Sequence, residues 1–156
     1  MKTDSDVMKN VRILYIIDGL GPGGKERRLV ELLRMTQNKD FSRKLVLLTD
    51  VIHYREVLKM DLEIIKLKRK VRKDPFILAK LYGICRRWKP HIIHTWGSMP
   101  AVYAGPIARM LKIKFINGMI ADAPRKLTRE QKIRSAISFP FSDVIQSNSH
   151  AGIKSY

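Results

Sequence analysis

The chain has 156 residues, 45% of them hydrophobic, so length and composition fit one well-buried globular domain and exclude wholesale disorder. A single cysteine, Cys85, rules out an internal disulfide and any cysteine-based metal cluster. The formal net charge of +17 calls for an anionic neighbour or a large solvated basic surface.

The first ten residues are polar and lack the apolar core of a signal peptide. No apolar run approaches the ~20 residues needed to span a bilayer. Both features lead to the expectation of a cytoplasmic protein with a polar tail over 1–10 and one domain over 11–156. Val11–Ile17 reads as a buried strand ending at Asp18. Four glycines and a proline follow between Gly19 and Gly24, and then Leu29, Leu32 and Leu33 repeat at helical spacing. Strand, glycine-rich turn and helix in that order bring backbone N–H groups close to a ligand and suit a phosphate or a polar sugar. Lys25 at the helix start adds positive charge to such a site, or else belongs to a solvated basic turn.

Lys44–Thr49 reads as a second strand closed by Asp50, His53–Met60 as a short helix, and Glu63–Leu67 as a third strand. A dense basic run follows: Lys66, Lys68, Arg69, Lys70, Arg72 and Lys73 fall within eight residues. It is either a solvated loop or a patch for an anionic partner. Aromatic stacking platforms are not interleaved with it, which favours a membrane surface over nucleic acid. Asp74-Pro75 starts a helix that runs to about Trp88, where Pro90 ends it. Ile92–Trp96 is a fourth strand containing His94, which either lines a cleft or packs in the core. Ser98 is placed as the cap of a helix reaching Leu111. A fifth strand begins over Lys114–Ile116, and Asn117–Pro124 reads as a loop. A helix capped by Thr128 and a strand over Asp143–Gln146 complete the alternation.

Alternating β and α units with almost continuously apolar strands predict a Rossmann-like parallel sheet of about six strands with helices on both faces. Right-handed crossovers then gather the loops at Gly19–Gly24, Gly97-Ser98, Asn117–Asp122 and Asn148-Ser149 on one edge. Taken literally, Gly19-Leu-Gly21-Pro-Gly-Gly24 also matches the dinucleotide fingerprint G-x-G-x-x-G. Asp50, however, lies about six residues beyond the usual ~20-residue spacing for a ribose-binding acid. No histidine or carboxylate spacing suggests a metal. Asp4-Ser5-Asp6 spells D-x-D but stands in the polar tail, ahead of the first strand.

Three segments carry a family likeness. Asp18-Gly-Leu-Gly-Pro-Gly-Gly-Lys-Glu26, Lys89-Pro-His-Ile-Ile-His-Thr95 and Asp143-Val-Ile-Gln-Ser-Asn-Ser149 resemble, in order and spacing, the N-terminal domain of family 4 glycosyltransferases. The resemblance runs from about Arg12 to Tyr156. It implies a GT-B enzyme with two Rossmann-like domains facing across a cleft, the N-terminal one taking the acceptor. It also implies retention of anomeric configuration, no metal or other cofactor, and a nucleotide sugar as co-substrate. A lipid-linked or membrane-surface glycan is the implied acceptor, with the basic surface docking on anionic lipid at the inner face of a membrane. Carried onto this sequence, Gly23 and Gly24 approach donor phosphates or acceptor, His94 lines the cleft, and Ser149 sits near a domain hinge. The family's donor-binding half has no counterpart within these residues. The resemblance therefore implies that a C-terminal domain or a separate donor-binding chain supplies it, and that this chain alone is inactive. Ile116-Asn117-Gly118 also replaces a histidine that many members carry after the fifth strand, leaving Asn117 and Asp122 as expected acceptor contacts.

Overall fold

The computed structural model describes residues 11–37, 40–71, 74–120 and 123–156. Arg72, Lys73 and Asp122, with the Asp4–Asp6 segment, lie outside the described residues. Six strands form one parallel sheet: β1 (Val11–Ile17), β2 (Phe41–Leu47), β3 (Glu63–Lys66), β4 (Ile92–Trp96), β5 (Lys114–Ile120) and β6 (Val144–Ser147). Their spatial order is β3-β2-β1-β4-β5-β6. The helices are α1 (Gly24–Met35), α2 (Pro75–Trp88), α3 (Ser98–Leu111), α4 (Arg129–Ser138) and α5 (His150–Ser155).

Alternation along β1 sends side chains to two separate cores. Leu14 and Ile16 join Val46, Ile93 and Phe115 under α2 and α3, whereas Tyr15 and Ile17 join Leu29, Leu33, Leu45 and Trp96 under α1. Both faces are thus covered, and the central strands are apolar on each side, as parallel sheets require.

The expected helix over His53–Met60 is a single 3-10 turn, Arg55–Lys59. Strand β2 starts three residues before the expected Lys44. Phe41, Ser42 and Arg43 pair with Val11, Arg12 and Ile13. Their polarity hides the strand in the sequence, but Arg43 is buried there with partners: its guanidinium donates to the carbonyls of Leu33 and Asp61 and to the Thr36 hydroxyl.

Strand β5 also runs farther than the sequence suggests. Asn117 and Gly118 were expected in a loop, yet both lie within β5, opposite Thr95 and Trp96 of β4. Asn117 is fully buried, and its amide donates to the hydroxyls of Ser138 and Ser142 while its oxygen accepts from the Met119 N–H. These bonds satisfy the groups that would otherwise favour a turn. A Cβ on Gly118 would stand 2.4 Å from the Thr95 carbonyl oxygen, so glycine here permits a close strand approach.

Two helix starts follow from side-chain chemistry. Asp74 caps α2 by accepting from the Phe76 N–H. Thr128 and Gln131 form a reciprocal capping box at α4. Replacing Thr128 with alanine is expected to lower stability by about 1 kcal/mol in urea unfolding, whereas serine should retain most of it.

Candidate functional site

In this strand order the connections reverse direction between β1 and β4, so their carboxyl ends bound a crevice. Three segments meet there: Asp18 with the glycine turn, the start of α1, and Gly97 after β4. Gly97 has φ of 123° and caps α3 through its backbone. That conformation is strained for an L residue, and space is short as well. A Cβ on Gly97 would stand 3.2 Å from both Asp18 Oδ2 and Lys25 Nζ. The expected cap, Ser98, is instead the first helical residue, and its hydroxyl accepts from Arg134.

Gly23 is the backbone cap of α1, and Gly24 its first residue. Nothing stands within 4 Å of a Cβ built on Gly24, but one built on Gly23 would meet the Glu26 carboxylate at 2.2 Å. Glu26 therefore folds back over the turn, at the helix end that attracts negative charge. Lys25 Nζ lies 3.4 Å from the same carboxylate. The glycine turn thus presents an acid and a cation together.

Arg69, 17% exposed, donates to Asp18 Oδ1 at 2.9 Å. Lys68 pairs with Asp50 at 2.7 Å, and this contact holds the Asp50 carboxyl below its ordinary range. Lys66 and Lys70 are exposed. The basic run is therefore divided: part faces solvent, and part is folded onto acids at the carboxyl edge.

His94 lies on the α1 side of the sheet, 8% exposed, between the rings of Tyr15 and Trp96 at 5.7 and 5.0 Å. Its Nε2 is 2.9 Å from the Gln146 oxygen. Burial pushes its pKa down to about 4, with the Gln146 bond opposing the shift, so the ring is neutral at pH 7. The indole N–H of Trp96 is buried with no hydrogen-bond partner among the described residues. Ser149 caps α5 by accepting from the Gly152 N–H. Its neighbour Asn148 accepts from Arg28 of α1 at 2.8 Å, tying the sixth strand's end to the glycine turn's helix.

The structure brings Gly23, Gly24 and Lys25 together with Gly97. His94 lies beneath them in the sheet, Ser149 lies at the β6 end of the edge, and Asn117 is committed to the interior on the opposite face. Sequence reasoning missed the Asp18–Arg69 pair, because nothing in a chain separation of 51 residues marks two charges as partners. Among the described residues, no group of three or more His, Cys, Asp or Glu could hold a metal. No described helix is long and apolar enough to cross a membrane.

Neither a search of family models nor one of curated proteins finds a match. Solved structures do match. The Anabaena protein HepE in complex with UDP-glucose superposes with a TM-score of 0.68 at 14% identity, covering 92% of this chain and 39% of its own. The UDP-GlcNAc 2-epimerase of Methanocaldococcus jannaschii gives 0.65 at 14% identity, with 93% and 41% covered. The lipopolysaccharide outer core galactosyltransferase WaaB gives 0.68 at 13% identity, with 93% and 41% covered. The chain therefore has the Rossmann-like α/β fold of one domain of these GT-B-like proteins, and it spans about two fifths of their length.

Proposed function

We propose that this chain is the acceptor-side half of a retaining glycosyltransferase of the family 4 type, working with a nucleotide sugar and a donor-binding domain. The observation that carries the reading is the meeting of Asp18, Lys25 and Gly97 at the switch point between β1 and β4. Carboxylates accept hydrogen bonds from sugar hydroxyls, an ammonium pairs with a phosphate oxygen, and the missing Cβ of Gly97 lets both Asp18 and Lys25 close in over the end of β4. HepE, similar in fold, was solved with UDP-glucose, and the same ligand class suits this arrangement. Asp18 and Glu26 would hold acceptor hydroxyls and Lys25 a donor phosphate, while Gly24 leaves the backbone open to the ligand and Gly23 makes room for Glu26. In transfer, the bond from the anomeric carbon to the donor phosphate breaks, a bond to the acceptor oxygen forms on the same face, and the acceptor's hydroxyl proton passes to the departing nucleoside diphosphate.

His94, neutral and packed, would position Trp96 and Gln146 under the cleft and move no proton. The long spacing from Gly24 to Asp50 argues against a dinucleotide, and the Asp50 carboxylate is paired with Lys68. The lipid-linked acceptor and the cytoplasmic membrane surface belong to the same proposal, supported by the net charge of +17 and by exposed Lys66 and Lys70. The same charge favours a second reading, a non-catalytic module for anionic lipid. Binding to anionic vesicles with no response to any nucleotide sugar would select it.

The test is a titration of the chain with UDP-glucose, followed by backbone amide NMR. Shifts are expected at Gly23, Lys25 and Gly97, without turnover. Lys25→Ala should weaken binding roughly tenfold, the worth of one charge-assisted bond. Shifts confined to other surfaces, or turnover by this chain alone, would overturn the reading.

A further inference from the structure

On the sheet face opposite α1, the start of α2, the first half of α3 and one side of α4 line a cavity of 470 Å³, within the range of small-molecule sites. Its walls are mainly apolar: Pro75, Met99, Val102, Tyr103, Ile133 and Ile137. Ile133 and Ile137 remain 50% and 40% exposed, which leaves the wall formed by α4 open to solvent. Tyr103 is 7% exposed, and its hydroxyl is buried with no hydrogen-bond partner among the described residues. Buried hydroxyls are normally paired, and this one lacks a partner among the described residues.

The charges around the cavity are unequal. Asp74 is committed as the cap of α2, accepting from the N–H groups of Lys70 and Phe76. Glu130 is paired with Arg134. Arg129 is exposed at the rim, and exposed Arg125 and Lys126 lead into its helix. Both acids are engaged while cations remain open to solvent, so the rim attracts negative charge.

We propose that this cavity binds a single-chain anionic amphiphile, its aliphatic chain against Val102, Ile133 and Ile137 and its anionic group at Arg129. The Tyr103 hydroxyl donates to the ligand's polar end. Because that hydroxyl is covered in the empty cavity, a lining side chain must give way for the bond to form. The inference does not depend on sugar transfer, since the cavity lies across the sheet from His94 and the glycine turn.

The experiment titrates the full chain with monododecyl phosphate below its micelle concentration, following the methyl resonances of Met99, Ile133 and Ile137. Saturable shifts of all three are expected. Ile133→Glu, a change at an exposed position, should weaken binding roughly tenfold. Arg129→Ala should weaken monododecyl phosphate several-fold and leave dodecanol unchanged. Tyr103→Phe keeps the ring and should weaken both a few-fold, with thermal melts confirming that each variant folds. Equal affinity for dodecyltrimethylammonium, unchanged binding by Ile133→Glu, or no saturable shift would overturn the proposal. So would shifts seen only with phosphatidylglycerol vesicles, which would make this face a membrane-docking surface instead.

Discussion

Gly118→Ala is expected to destabilise the fold by about 3 kcal/mol, the upper end of the usual cost of forcing extra volume into a packed interior. The new methyl would meet the Thr95 carbonyl oxygen at 2.4 Å. Backbone has no rotamer by which to escape, and the pairing of β5 with β6 is already irregular between Asn117 and Ile120. The strain would also reach the cleft, because Gly97 N–H donates to the Gly118 carbonyl. Gly21→Ala and Gly24→Ala are the controls, since a Cβ at either position meets nothing within 4 Å. Both should stay within about 0.5 kcal/mol of the parent in urea unfolding. Equal losses at Gly118 and Gly24 would mean that crowding against the Thr95 carbonyl does not set the cost.

The second large effect is a pH dependence located at His94. Its folded pKa of about 4 lies below the ordinary histidine value of 6.5, so the unfolded chain binds the proton more readily. The stability this group contributes is complete above pH 6.5 and is lost as pH falls toward 4. The loss amounts to about 3 kcal/mol over that window. Asp74 and Asp143 have depressed pKa values, from backbone hydrogen bonds chiefly, and also lose stability in acid. A comparison of slopes separates the contributions. His94→Gln should flatten the stability profile between pH 6.5 and 4 while leaving the carboxylate part below it. Parallel profiles for parent and variant would remove His94 as the cause.

Much of the fold could be read from the chain because its strands are apolar on both sides and its helix starts carry their own chemistry. Val11–Ile17 is such a strand, and Asp74-Pro75 and Thr128 are such starts. Asn117-Gly118 misleads for a physical reason. The pair is common in turns because asparagine satisfies nearby backbone and glycine tolerates unusual torsions. Here the same two properties serve burial, the amide bonding Ser138 and Ser142 and the missing Cβ admitting a neighbouring strand. Phe41–Arg43 hides for the opposite reason: a charged residue inside a strand becomes favourable once distant carbonyls surround it.

The site was only partly legible. Gly23, Gly24 and Lys25 declare themselves by adjacency to a strand end and a helix start. Gly97 needs its torsion angle and the contact with Asp18 and Lys25 before its part is visible. The basic run looks uniform as a string of letters, yet folding sends Arg69 to Asp18 and Lys68 to Asp50. The Trp96 and Tyr103 groups that lack a partner among the described residues cannot be found without coordinates, since each is defined by what its neighbours fail to offer.

The Asp18–Arg69 contact makes the chain's surface charge and its crevice a single thermodynamic system. An anion that captured the Arg69 guanidinium would release the Asp18 carboxylate, and a ligand hydroxyl that engaged Asp18 would loosen Arg69 in turn. Linkage requires the two effects to be equal in free energy. Added salt, by screening that contact, acts on both partners of the exchange together.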